Sequence, residues 1–323
     1  MKEVVSLTPK EVADILKITK NTVYELIKRG ELPAYRVGRK LRVDPQDVEA
    51  YKKQGKRTES VQENCTFPTF GSISIQAKTP GIEETVPEAR GLVICGQDVL
   101  LDVLTRHLER RFREIHAFRH HVGSFPGLLA LYQGKAHMAA IHLWDGATGT
   151  YNVPYVRHLL PGIPAVIVHL ACRMQGFYVA KGNPKNIANW SDLTRPEITF
   201  INREKGSGTR VLLDEKLRLS GIDRHMIKGY QQEEFSHLAV ASAVARGEAD
   251  AALGNEKVSL QVRGIDFIPL QKERYELVIK KEDLDNPKFQ AVLDIIQSGE
   301  FTSELRGLGD YDLTDTGKIS AET

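Results

Sequence analysis

The chain has 323 residues, with 44 Lys and Arg against 42 Asp and Glu, a formal net charge of +2, and 41% apolar side chains. That length supports two or three domains with sizeable cores, and the composition is ordinary for a globular protein. No apolar run approaches the ~18 residues of a membrane span, and the start MKEVVSLTPKEVADIL lacks an apolar signal core. Cys65, Cys95 and Cys172 form no CxxC pair. A membrane protein, an exported transport receptor, a disulfide framework and a zinc ribbon are therefore disfavoured, and a reducing cytoplasm is expected.

The near-neutral total hides an asymmetry. Residues 1–57 hold 14 Lys and Arg against 8 Asp and Glu, whereas the remainder holds 30 against 34. A basic head on a mildly acidic body predicts that the head meets a polyanion and the body does not.

In the head, Thr8-Pro9-Lys10-Glu11 reads as a capping box with proline at the first helical position. Val12, Ala13, Ile15 and Leu16 follow at helical spacing. After a short turn, Thr19 caps a second helix over about 20–29, with Val23, Leu26 and Ile27 inward and Gly30 as its stop. Two short helices joined by a tight turn make a helix-turn-helix. The outer face of the second helix offers Thr19, Lys20, Asn21, Thr22, Tyr24, Lys28 and Arg29 to base edges or phosphates of double-stranded DNA. The stretch AYRVGRKLRVD alternates apolar and polar residues about a basic tip and predicts a two-stranded wing with Arg36, Arg39, Lys40 and Arg42. Asp44-Pro45 opens a third helix. LTPKEVADIL, ITKNTVYELIKRGELPAYRVGRKLRV and DPQDVEAY resemble the excisionase-type winged helix-turn-helix family, related to MerR-type heads, over about residues 5–53. The resemblance implies DNA binding. The expected boundaries are a DNA-binding domain over 1–54, a linker over 55–90 without sustained periodicity, and a body over 91–323.

The body reads as strand, loop and helix in repetition. LVIC (92–95), AHMAAIHL (136–143), AVIVHLACR (165–173), GFYVA (176–180), ITFIN (198–202) and ADAALG (249–254) read as strands. FIPL and YELVI read as returning strands. Helices are expected after Asp98, from Ser124, after GSGTR, over 236–247 and late, over FQAVLDIIQSGEF. Alternation of this kind predicts an α/β fold with a mostly parallel open sheet. In such sheets ligands lie outside the carboxyl ends of strands, against helix starts.

The polar loop clusters fall at those places. NREKGSGTR (202–210) stands where a strand ends and a helix begins. Its glycines allow a sharp turn, the helix start offers unpaired N–H donors, and Arg210 adds a forked cation. An oxyanion or carboxylate is the expected guest. There is no P-loop lysine, and Val211 stands where a dinucleotide fingerprint needs its third glycine. The candidate ligand contacts are Gln97, Asp98, Ser124, His142, Asp145, Asn202, Arg203, Ser207, Gly208, Thr209, Arg210 and His237. The histidines lack HxH or HExxH spacing, so neither a metal nor a cofactor is expected.

GQDVLLDVL, HHVGSFPGLLALYQGKAHMAAIHLWD, RMQGFYVAKGNP, INREKGSGTRVLLDEKL and FSHLAVASAVARGEADAALG resemble the periplasmic-binding-protein-like domain found behind helix-turn-helix heads. That domain is similar to type 2 solute-binding proteins such as molybdate-binding proteins. The resemblance implies two lobes, 91–175 with 266–323 and 176–265, and a molybdate- or tungstate-type effector or related molybdenum species. The expected protein is a cytoplasmic, dimeric, ligand-responsive transcription regulator. Competing readings are an enzyme tethered by its head, disfavoured because no nucleophile–base pair is visible, and an excisionase-like recombination accessory protein.

Overall fold

A computed structural model describes residues 6–28, 32–37, 40–55 and 91–323. The chain divides between residues 79 and 80 into two compact units. The expected linker lies outside the described residues, apart from Gly55, which ends a helix.

In the N-terminal unit, α1 runs Pro9–Leu16, α2 Lys20–Lys28 and α3 Pro45–Gly55, and β1 (Tyr35–Val37) pairs antiparallel with β2 (Lys40–Arg42). The capping box forms: Glu11 N–H donates to Thr8 Oγ1 at 3.3 Å, and Thr8 N–H donates to the Glu11 carboxylate at 2.7 Å. Lys17 then adopts a left-handed conformation and stops α1. Thr19 accepts from Thr22 N–H at 3.3 Å and starts α2. Val12, Ala13, Val23, Leu26, Leu32, Val43 and Val48 close into one small core. This is a helix-turn-helix followed by a short hairpin and a third helix.

The C-terminal unit begins with β3 (Leu92–Cys95), α4 (Leu100–Arg111), β4 (Ala117–His120), α5 (Ser124–Tyr132) and β5 (Met138–Ile141). A hairpin, β6 (Trp144–Asp145) with β7 (Thr150–Tyr151), leads to α6 (Val153–Leu159) and β8 (Ala165–Ala180). Then come β9 (Phe200–Arg203), α7 (Gly208–Leu219), β10 (Glu233–Glu234), α8 (His237–Ala245), β11 (Ala251–Asn255) and α9 (Glu256–Ser259). The chain finishes with β12 (Ile265–Lys280), α10 (Pro287–Ile296), α11 (Gly299–Leu308) and β13 (Ile319–Glu322).

The sheet runs β10-β9-β11-β8-β12-β5-β3-β4, with β13 also on β8. It is parallel near its two ends and antiparallel through the middle. The expectation of a mostly parallel sheet is corrected here, and so is the division of its central strands. AVIVHLACR and GFYVA are one strand, and so are FIPL and YELVI. The polar segments between them read as breaks in sequence, yet they keep pairing because β8 and β12 lie antiparallel along their lengths.

Those two strands join two lobes. The early part of β8 and the late part of β12 pack with Leu92, Leu104, Phe289 and Phe301, whereas Phe177, Val179, Ile268 and Leu270 pack with Phe200, Leu212 and Leu213. The switch falls at 172–176 and 271–274, beside β-bulges at Pro269/Gln271 and Tyr275/Glu276. The hairpin 144–151, expected within lobe one, packs on the core of lobe two. Trp144 joins that core, and Gly146 N–H donates to Glu215 at 3.0 Å.

Candidate functional site

The NREKGSGTR loop makes the turn expected of it. Gly206 takes a φ of +87°, a region costly for residues with a Cβ. Ser207 caps α7 by accepting from Arg210 N–H at 3.2 Å. Gly208 is the first residue of α7, Ser124 the first of α5 and His237 the first of α8. All three line one cavity. The first residues of three helices therefore border one cavity, a setting in which helix dipoles favour an anion.

The lobes meet closely around it. Phe125 N–H donates to Gly206 O at 2.9 Å. A Cβ on Gly208 would lie 2.6 Å from the His142 ring and 2.7 Å from its carbonyl oxygen. Only glycine admits this approach. The enclosed space available to water-sized atom centres is about 20 Å³, enough for the oxygens of one small oxyanion and little more.

Two buried arginines complete the walls. Arg173 projects from β8 at the crossing between lobes, directly opposite Glu273 of β12. Its Nη1 pairs with Asp98, its Nη2 lies 2.5 Å from Glu273 Oε1, and its guanidinium stacks 4.1 Å from the Tyr275 ring centre. Arg203 ends β9 and donates to Gln97 Oε1 at 2.5 Å and to Glu204 at 2.8 and 2.9 Å. Arg173 Nε, Arg203 Nη1 and His237 Nδ1 are buried without a hydrogen-bond partner among the described residues, whereas Arg173 Nη2 is held by Glu273 Oε1. Unpaired buried polar atoms are expensive in a closed interior. Their convergence on one cavity marks it as a place for an acceptor-rich guest.

The surroundings fix the protonation of the walls. Burial alone would raise the Glu273 carboxyl, but Arg173 and His142 outweigh it and hold it at about 2. Its partner His142 Nδ1 lies 2.6 Å away. Burial pushes His237 well below its ordinary value, and the nearby Arg203, Arg173 and His142 push the same way, so it is neutral at pH 7.

Of the expected contacts, Gln97, Asp98, Ser124, His142, Arg203, Ser207, Gly208 and His237 are brought together. Two of these are already engaged. Asp98 accepts from Leu100 N–H and the Tyr311 hydroxyl as well as Arg173. Gln97 spends its amide on Arg203, Glu204 and the Phe235 carbonyl.

Asp145, Asn202, Thr209 and Arg210 do not line the cavity. Asp145 is absorbed by Thr148 in the hairpin turn. Asn202 bonds the Arg203 N–H and the Tyr230 carbonyl. Thr209 reaches toward Gln175 at 3.4 Å. Arg210 points to the far side of its helix, held by Asp214, Glu233 and the Arg203 carbonyl and stacked 4.1 Å over Tyr230. Its forked cation braces α7 against β9 and β10. Sequence reasoning missed Arg173 and Tyr275. The available signal was a lone arginine closing an apolar run, but its partner Glu273 lies a hundred residues away.

In the head, Thr19, Lys20, Asn21, Thr22, Tyr24, Lys28 and Lys40 are exposed and Arg42 is half-buried. Lys20 Nζ lies 5.8 Å from the Tyr24 ring centre. Arg36 stands on β1, and Arg29 and Arg39 fall outside the described residues. The exposed side chains lie outside the core that Val23 and Leu26 help to form, and Lys20, Asn21, Tyr24 and Lys28 share one side of α2 by helical spacing, suited to bases and phosphates.

Comparison with known proteins agrees with both halves. A helix-turn-helix domain family matches residues 6–56, and the PBP superfamily domain matches residues 105–297. The chain is 41% identical to YvgK of Bacillus subtilis (strain 168), with all of both chains covered. It is 65% identical to a protein from the 5′ region of a ferredoxin 2Fe-2S gene of Clostridium pasteurianum, over 35% of this chain and 99% of that one. Among solved structures it is similar in fold to one named as a phosphate ABC transporter substrate-binding protein with bound phosphate, from Clostridium perfringens. That likeness has a TM-score of 0.53 and 15% identity, and covers 69% of this chain and 98% of that one. With the family matching well over half of the chain, and a full-length relative besides, this protein belongs to the PBP superfamily domain family and carries a helix-turn-helix domain ahead of it.

Proposed function

We propose that the protein is a ligand-responsive DNA-binding transcription regulator whose C-terminal domain senses a small oxyanion group. The observation that carries this reading is the cavity between Ser124, Gly208 and His237, where three helix starts and the unpaired groups of Arg173 and Arg203 face one small space. A phosphate-, molybdate- or tungstate-type group matches that supply of donors. The phosphate held by the structurally similar transport protein supports the class of guest.

The guest would touch Ser124 from one lobe and Gly208 and Arg203 from the other, so its binding favours the closed form. DNA contact falls to Lys20, Asn21, Thr22, Tyr24, Lys28, Lys40 and Arg42, with Thr19, Arg29, Arg36 and Arg39 as further candidates. One short head covers little DNA, so a cytoplasmic dimer on paired half-sites is the working assembly. Closure then changes operator affinity if the two lobe states bind DNA differently; a few kcal/mol suffices.

The test is fluorescence anisotropy of the full-length protein on DNA from upstream of its own gene. Phosphate, sulfate, molybdate and tungstate are titrated in at constant ionic strength. The expected result is that at least one anion changes affinity at least fivefold, and that Arg203→Met abolishes the change while leaving anion-free DNA affinity unaltered. Affinity indifferent to every anion would sink the proposal.

A further inference from the structure

The oxyanion cavity is one end of a longer depression. A groove of about 260 Å³ shares Gln97, Asp98 and His237 with it and is the roomier of the two. A bare tetrahedral anion fills the cavity and leaves the groove unused.

The groove differs in chemistry from the cavity. Phe235 is 73% exposed, Leu238 51% and Val99 39%, and all three line it together with Val258. Large apolar side chains gathered on a concave, wetted surface mark a place where an organic body lies. The longest charged side chains of the groove are held by groups outside it. Lys257 Nζ donates to the Leu308 and Gly309 carbonyls at 2.5 and 3.1 Å, and Asp102 is paired with Arg119. The groove therefore suits a largely uncharged group, with the Gln261 amide available for hydrogen bonds; the Ser236 oxygen already caps α8 by accepting from Ala239 N–H. The wall carrying Phe235 is also tied to the cavity, because Gln97 Nε2 donates to the Phe235 carbonyl at 3.4 Å.

We propose that the effector is an oxyanion carried on an uncharged, ring-bearing organic body of roughly nucleoside size, its anionic end in the cavity and its ring against Phe235 and Leu238. This rests on the oxyanion reading above and deepens it.

The test is titration calorimetry of the full-length protein with inorganic phosphate, phenyl phosphate and adenosine 5′-monophosphate. At least one ester should bind tenfold or more tightly than inorganic phosphate. Val258→Trp, which fills the groove, should erase that advantage and leave the inorganic phosphate Kd within twofold. Leu238→Asn, at an exposed position, should do the same with an unchanged melting temperature. The proposal is overturned if inorganic phosphate binds as tightly as both esters, or if the advantage survives both substitutions. If inorganic phosphate and both esters all fail to bind, the oxyanion reading falls together with it.

Discussion

Arg210 and Arg173 are both buried, at 2% and 4% exposure, yet they serve opposite ends. Arg210 stands in the loop whose spacing suggests an anion site, and its guanidinium turns away to brace α7. Arg173 stands in the middle of a long strand with no such motif, and it lines the cavity. The difference lies in which way each backbone element points its side chains. At the start of α7 the backbone N–H groups face the cavity, so the third residue of the helix projects elsewhere. On β8 alternate side chains face the crevice between lobes, and position 173 falls where the strand passes from one lobe to the other. The loop contributes dipole and donors, and the hinge contributes charge.

The largest effect expected from this contrast is on stability. Arg173→Met strands Asp98 and Glu273 as buried carboxylates without their cation, and should cost about 3–5 kcal/mol in urea unfolding. Adding Glu273→Gln should recover part of the loss. A cost below about 1 kcal/mol would mean that the pair is hydrated rather than buried between β8 and β12.

Arg210→Met should cost about 1–3 kcal/mol by leaving Glu233 and the Arg203 carbonyl underserved, while an anion-induced rise in melting temperature persists. Loss of that rise with intact folding would return Arg210 to the site and break the comparison.

Two buried groups on β8 and β12 also predict opposed pH limits. Glu273 is held at about 2 against an ordinary 4.5, so its stabilisation is complete above pH 4.5 and fades as pH falls toward 2. His169 runs the other way. Burial works against its charge, but hydrogen bonds to Cys172 and Glu276 outweigh it and raise it from 6.5 to about 9. Its contribution is complete below pH 6.5 and is lost as pH rises through 9. The urea midpoint should therefore peak between these limits. His169→Gln should flatten the alkaline limb and, by removing a partner that holds Glu276 low, also soften the acid one.

The smallest effect belongs to the head. Lys20→Ala should reduce the salt dependence of DNA binding by about one counterion without changing sequence preference. An unchanged slope would remove Lys20 from the interface.

Much of the head was legible because its signals are local. Thr8 and Glu11 lie three residues apart, and Thr19 and Thr22 likewise. The starts of α7 and α8 were legible for the same reason, and with them Ser207 and His237; Ser124, expected as a helix cap, instead follows the N-cap Gly123 and accepts from His142 N–H at 3.2 Å. The hinge was not. Arg173 and Glu273 meet only through the antiparallel register of β8 on β12, a pairing that no local spacing encodes. Asp145 failed for a different reason: its hydroxyl partner Thr148 is near in sequence, and a loop that can satisfy its own carboxylate has no need of a ligand.

The most direct measurement is the melting temperature of the full-length protein and of Arg203→Met, each with phosphate, sulfate, molybdate and tungstate at constant ionic strength. An oxyanion gripped between Ser124, Gly208 and the two arginines should raise the wild-type value in a saturable way and leave the variant unmoved. An equal rise in both proteins, or none in either, would contradict the account.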